Sequence, residues 1–367
     1  MKLASLEIFR FELPLKRPLA LKSATITSRT GLALRLEDDS GNIGWGETSP
    51  LPAFSREDID IAARQLMDVG SSLTALPVTD DLEKLNGRFD FALAGFSLAP
   101  SVRFGLESAV LNLLASARKV SLPQLLGGGK RAAVTVNGLL VGEDDEILQQ
   151  ASALKQKGYN AFKLKVGRRP VQADISLTEK VRRAIGDSAS LRLDANRAWD
   201  VVEAHAFMVG VSLLDIQYIE EPARNLDQLR KLLYKTTPPV PVALDESLLE
   251  LAPEDLASPY PVKAVVVKPT LLGLERAACF ARSAREHGIT AVISSSFESS
   301  LGLYTLAALS EALNQSGVAC GLDTLDWFAQ DLCREPVRLE SGLIDLKRHI
   351  KTPVSVNTDL LKEIRGE

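Results

Sequence analysis

The stretch AFKLKVGRRP, residues 161–170, decides how the chain is read. Phe162, Leu164 and Val166 alternate with Lys163 and Lys165. In a strand, residues two apart share a face, so the apolar trio lies on one side and both ammonium groups on the other. A solvated sheet face would account for the lysines by itself. A buried face would need carboxylates from other parts of the chain to meet them.

Around this stretch the sequence is periodic. Short β-rich runs begin near Val134, Ala161, Ser190, Ile216, Val242, Ala264 and Thr290, at intervals of roughly 22 to 29 residues, and a helical stretch follows nearly every one. That alternation predicts parallel β/α units, closed as a barrel or open as a doubly wound sheet. An open sheet collects its ligand at one switch point, whereas a barrel gathers residues from many strand ends. The first hundred residues differ. LALRLEDDSGNIGWGE alternates Leu32, Leu34 and Leu36, turns through 39–42 and resumes with Ile43 and Trp45, a hairpin pattern. Helical segments are expected near 55–70 and 101–118, the second with Ser101 as N-cap. Trp45 is expected in the core.

The carboxylates that meet the lysines stand one β/α unit apart. LRLDAN ends in Asp194, IQYIEEP delivers Glu220 and Glu221, and VALDES delivers Asp245. Parallel strands aim their carboxyl ends the same way, so these acids converge on one rim, which favours the barrel. Like charges so clustered repel without a cation, and an all-oxygen set suits Mg²⁺. Zinc is disfavoured, because His205, His287 and His349 lie away from these strand ends and no cysteine joins them. AVVVKPT then places Lys268 at the end of a further strand, across from Lys163 and Lys165. A desolvated lysine among other cations loses basicity, so part of it is neutral and can take a proton. A cation holding a substrate carboxylate would absorb the charge left on it. The pattern predicts proton abstraction next to a carboxylate.

Composition bounds the other possibilities. The 367 residues are 46% hydrophobic and 25% charged with net charge −4, an ordinary globular balance without the basic footprint of a nucleic-acid binder. Cys279, Cys320 and Cys333 form no C-x-x-C pair, which suits a reducing cytosol. Glu7, Arg10 and Glu12 interrupt any signal-peptide core, and no window approaches the ~18 unbroken apolar residues of a membrane span. A cytoplasmic protein with a small-molecule carboxylate substrate, and with neither nucleic acid nor membrane as partner, is expected. LLGGGKR (125–131) lacks the first Gly and the Ser/Thr of a phosphate loop and reads as a turn.

The motifs KLK (163–165), DAN (194–196), EEP (220–222), DES (245–247) and KP (268–269) resemble those of the enolase superfamily, in its muconate-lactonizing subgroup. A lysine base beside Mg²⁺ is already known as that superfamily's pattern. The resemblance implies a modified (β/α)7β TIM-like barrel, residues 101–321, under an α+β capping domain of residues 1–100 completed by 322–367. It implies Asp194, Glu220 and Asp245 as ligands of Mg²⁺ (or Mn²⁺), with Glu221 as a neighbour. GWGETSPLPAFS (44–55), SSSFESSLGL (294–303) and GLDTLDWFAQDL (321–332) are similar to the o-succinylbenzoate synthases of menaquinone biosynthesis. That family dehydrates 2-succinyl-6-hydroxy-2,4-cyclohexadiene-1-carboxylate. By position, Lys165 is then the base, Lys268 stabilises the enediolate from the opposite side, and Lys163 lowers the pKa of Lys165.

Other residues read as supports. Ser294, Ser295 and Ser296 could take the succinyl carboxylate or simply cap a helix from Ser299. Arg192 could contact ligand or pair with an acid, and Asn196 could orient the metal ligands. Ser49, Pro50 and Phe54 fall in a capping loop that could cover the substrate. An N-succinylamino acid racemase or dipeptide epimerase on the same scaffold is the alternative, although Gly321 stands at the first acid position of the D-x-D run typical of the epimerases. A ligand-binding barrel that has lost catalysis would lack one of these acids or lysines, and none is missing.

Overall fold

A computed structural model of the chain describes residues 1–21, 24–72, 76, 78–129, 133–235, 237–257, 261–313, 317–346 and 355–364. The N-terminal strands β1 (Leu3–Ala20), β2 (Thr25–Asp38) and β3 (Ile43–Thr48) form an antiparallel meander. The β2–β3 hairpin closes where expected, with Asp38 N donating to Asn42 O at 3.1 Å and Gly41 in the left-handed region at φ 80°. The C-terminal strand Lys362–Ile364 adds to the free edge of β1. Trp45 is half-buried and packs beside Phe9, ring centroids 6.0 Å apart, against a small satellite cluster away from the main core.

Two helices back this sheet, α1 (Ile59–Ser71) and α2 (Pro100–Arg118). α2 lies directly on β3 because Gly44 and Gly46 leave room for its backbone. Ser101 is not its N-cap. Pro100, with its ring-fixed φ, suits the first turn after Ala99, and distant side chains take the free N–H groups. Gln65 accepts from Ala99 N at 2.8 Å and Glu57 from Ser101 N at 3.1 Å.

The remainder winds as β/α units. Strands β5 (Gly138–Leu140), β6 (Ala161–Lys165), β7 (Ser190–Asp194), β8 (Ile216–Glu220), β9 (Val242–Leu244), β10 (Val262–Val267) and β11 (Thr290–Ile293) form one parallel sheet in sequential order. Between and after them run α3 (Asp144–Gln156), α4 (Val171–Ile185), α5 (Val201–Gly210), α6 (Leu226–Lys235), α7 (Leu274–Glu286) and α8 (Ser300–Leu313). The segment 319–322 joins the two sheet edges. Cys320 bridges Val136, and Gly321 bridges Ser294. The sheet therefore curls into a closed barrel rather than lying open. The strand expected at Val134 is divided: β4 (Ala133–Thr135) pairs antiparallel with Leu343–Asp345, whereas Val136 meets Cys320 at the barrel closure and Gly138–Leu140 pair with β6. Among the described residues no helix is long and apolar enough to cross a membrane.

Strand alternation sorts the barrel. On β10, Ala264 and Val266 face the interior with Tyr218, Ala243 and Val292, whereas Val265 and Val267 join the outer core under the helices. On β6 the outer core takes Phe162 and Leu164, so Lys163 and Lys165 point inward. Both lysines therefore lie on the inner face of the barrel, not on a solvated one.

Candidate active site

Register brings the charged residues together. Lys165 pairs with Asp194 across β6–β7, and Asp194 pairs with Glu220 across β7–β8. Asp245 follows β9 immediately and Lys268 follows β10. Asp194, Glu220 and Asp245, all buried, each offer a carboxylate oxygen within 4.8 Å of the others. Lys163 Nζ donates to Glu220 Oε2 at 2.6 Å and lies 2.8 Å from Asp194 Oδ2. Lys165 Nζ donates to Asp194 Oδ2 and to Asn196 Oδ1, both at 2.6 Å. Lys268 donates to Asp245. Strands β7, β8 and β9 thus present three acids between a lysine pair on β6 and a single lysine after β10.

The electrostatics separate the three lysines. Burial lowers the basicity of each, but for Lys163 the charges of Asp194, Glu220 and Asp245 outweigh it and hold the ammonium firmly. Lys165 ends below the usual lysine range, because burial and the neighbouring charges of Lys163 and Lys268 overcome the pull of Asp194. Lys268 ends above it, since Asp245 and Glu246 outweigh burial. Burial, then the charges of Asp194 and Asp245, push Glu220 up against the pull of Lys163. Against these three carboxylates Lys163 and Lys268 bring two firm ammonium charges, and Lys165 only a weakened third. An oxygen-only, buried, tripartite donor set therefore fits a hard divalent cation, and this group can hold a metal ion.

Supporting contacts fix these groups. Glu221 accepts from Asp245 N at 2.9 Å, Ser247 N at 2.8 Å and Arg197 Nε at 3.0 Å, while burial and Glu246 raise its pKa to about 7. Asn196, in the left-handed region at φ 45°, accepts from Lys165, and its own N–H donates to Asp194 Oδ1 at 3.0 Å. It orients the lysine as much as the acid. Arg197 pairs with Glu250 at 2.8 Å as well. Neither Arg197 nor Asn137 stood out in the sequence, since each lies in an ordinary loop and only the folded register brings it to the rim.

A cavity of about 450 Å³ opens above the lysines. Ser294, Ser295 and Ser296 line one side of it, and Leu19, Leu51, Phe54, Val141 and Trp327 supply an apolar wall. Ser295 Oγ already donates to Glu298 at 2.6 Å, whereas the buried Ser296 Oγ has no partner among the described residues. Ser49 does not line the cavity; it is buried and donates to Glu47 at 2.7 Å. Arg192 does not line the cavity either. It lies on the Asp194 face of β7 but two residues deeper, where its guanidinium donates to Gln217 at 2.7 Å, Asn137 at 3.0 Å and Ala319 O at 2.7 Å. It reaches the cavity only through Asn137, which does line it. His205 sits on α5 and His287 at the end of α7, both away from the acids, while His349 falls outside the described residues. In the glycine run, Gly129 N donates to the Glu311 carboxylate at 2.6 Å, which leaves no phosphate cradle there, and Lys130 and Arg131 fall outside the described residues.

Barrel, acids and opposed lysines define an enolase-superfamily protein. The family model described as "Enolase C-terminal domain-like" matches residues 146–350, and "MenC, N-terminal domain" matches residues 3–113. The muconate lactonizing enzyme from Pseudomonas fluorescens superposes with a TM-score of 0.86 at 23% identity, covering 98% of this chain and 99% of that one. The o-succinylbenzoate synthase of Pectobacterium atrosepticum is 33% identical over 87% of this chain and 90% of its own length. "Protein PHYLLO, chloroplastic" from Arabidopsis thaliana is 34% identical over 91% of this chain, which spans only 22% of that much longer protein. The chain belongs to the o-succinylbenzoate synthase family.

Proposed function

We propose that the protein is an o-succinylbenzoate synthase, a hydro-lyase converting 2-succinyl-6-hydroxy-2,4-cyclohexadiene-1-carboxylate to 2-succinylbenzoate in menaquinone biosynthesis. The observation that carries this reading is the opposition of Lys165 and Lys268 across three buried carboxylates, beneath a cavity with one apolar wall. Asp194, Glu220 and Asp245 would hold Mg²⁺, with Mn²⁺ as substitute. When bound, the ion supplies a positive site for the ring carboxylate and for the charge that develops on it.

The side chains then divide the work. Lys165, least basic of the three, takes the proton from the carbon next to the ring carboxylate. Lys268 stays an ammonium on the opposite side and offsets the developing charge. The electron pair from the broken C–H bond forms the new ring double bond, the C–O bond breaks, and water leaves with a proton returned from an ammonium. Aromaticity drives this last step. Lys163 neutralises part of the acid cluster and depresses Lys165, Asn196 orients Lys165, and Glu221 holds the Asp245 backbone. Ser294–Ser296 form the wall nearest the succinyl arm, and Arg192 acts on that region through Asn137.

Residues 1–100 with 322–367 act as the cap and 101–321 as the barrel in this reading, with α2 packed directly on the cap strand β3. The site of action is the cytoplasm. One feature also favours N-succinylamino acid racemisation: lysines on both faces of one carbon can exchange its proton from either side. Assays of purified protein with the cyclohexadiene substrate and with N-succinylamino acids, comparing kcat/KM, test the assignment. Faster racemisation than dehydration overturns it.

A further inference from the structure

Arg29 lies on β2, 268 residues from the loop that follows β11, and is 2% exposed. Among the described residues it forms no salt bridge. Its guanidinium instead holds four main-chain carbonyls, two from each of the loops that flank the cavity. On the cap side it donates to Ser49 O at 2.9 Å and Pro50 O at 3.0 Å. On the barrel side it donates to Phe297 O at 3.1 Å and Ser296 O at 3.4 Å. A planar fork with five donors suits such a junction, and a lysine ammonium could not span it.

Both walls tied in this way are strained and both touch the chemistry. Ala53 and Phe297 are non-glycine residues in the left-handed region, at φ 68° and 63°, a state that persists only where the surroundings enforce it. The cap loop continues from Pro50 into a turn closed by Ser55 N to Leu51 O at 2.8 Å, and this places the Phe54 ring 5.9 Å from Lys268 Nζ. The barrel loop carries Ser294–Ser296. A second tie joins the same domains: the Glu47 carboxylate accepts from Ser299 N at 3.1 Å and Gly302 N at 2.9 Å, and from Ser49 Oγ at 2.7 Å on the cap side. The two halves thus remain joined when Arg29 is replaced.

We propose that Arg29 is a positioning residue of the active site: by gripping carbonyls of both walls it sets the Phe54 loop against the Ser294–Ser296 loop, and so shapes the substrate pocket over Lys268. The inference rests on the function proposed above. Its test compares wild type with Arg29→Ala and Arg29→Lys, reading KM and kcat for dehydration, Mn²⁺ affinity and 2-succinylbenzoate affinity. Both variants are expected to raise KM and weaken product binding tenfold or more, with Mn²⁺ affinity within twofold of wild type. Methylguanidinium should restore KM in Arg29→Ala, where it can enter the vacated space, and not in Arg29→Lys, where the side chain fills it. KM within twofold of wild type in both variants overturns the proposal. So does a joint loss of fold, Mn²⁺ binding and activity that methylguanidinium leaves unchanged, which marks a purely structural role. A wild type that binds product but does not dehydrate the substrate refutes the proposed function instead, and product affinity in the variants still decides the role of Arg29.

Discussion

Lys163 and Lys165 point to the same side of β6, yet their surroundings drive them apart: the first is locked as an ammonium between Asp194 and Glu220, the second is shifted toward neutrality. The difference comes from depth. Lys163, two residues further into the barrel, meets two carboxylates, while Lys165 at the rim meets Asp194, the neutral amide of Asn196 and the charges of two other lysines. One strand thereby carries a fixed countercharge and a less basic lysine, the one proposed as the base.

Removing that base tests its role. A positioned general base contributes roughly 10²- to 10⁴-fold to rate, so Lys165→Ala should lower kcat by about that factor. Mn²⁺ affinity should change little, because the three acids remain. Steady-state kinetics and a metal titration on the same sample check both halves.

The pH profile has a definite sign. Lys165 must be neutral to accept a proton, so kcat/KM should be low in acid and rise through its depressed pKa. Lys163→Met removes one of the cations responsible for the depression. The rising limb of the variant should therefore lie at higher pH than in wild type, as read from kcat/KM measured across the alkaline range. A limb moved to lower pH would contradict the electrostatic account.

Glu221 supports the acid cluster from behind by accepting the backbone N–H groups of Asp245 and Ser247. Changes to such outer partners typically weaken metal binding about 10- to 100-fold. Glu221→Gln is expected to fall in that range by calorimetry with Mn²⁺, with the fold intact by circular dichroism.

The fold makes its own prediction at the contact between β3 and α2. A Cβ at Gly46 would press on the α2 backbone at Gly105 O and Ala109 N. Neither can move without shifting the helix. Gly46→Ala should destabilise by about 1–3 kcal/mol, measured by urea unfolding.

Much of this arrangement is written locally. Six of the seven barrel strands start at or within two residues of the positions their apolar runs mark, and each acid sits where its run ends. The exception, near Val134, looks like one strand but divides after Thr135, because its first residues pair with a segment some two hundred residues later. Ser101 fails as a cap for the same reason: Glu57 and Gln65 reach the helix from another part of the chain. Arg192 could be placed on the correct face but not at the correct depth, since alternation gives side and not height. Arg29 carried no local pattern, and Glu47 and Glu298 lay inside the family-like segments 44–55 and 294–303 with no sign of their own roles. Their partners are main-chain groups and hydroxyls that only the assembled domains bring within reach.

The proposed chemistry needs one divalent ion held by Asp194, Glu220 and Asp245 together. Titration of metal-free protein with Mn²⁺, followed by electron paramagnetic resonance, should show a single tight site per chain. That site should be weakened at least tenfold in each of Asp194→Asn, Glu220→Gln and Asp245→Asn, with dehydration lost in parallel. Unchanged Mn²⁺ affinity in any two of these variants would contradict it.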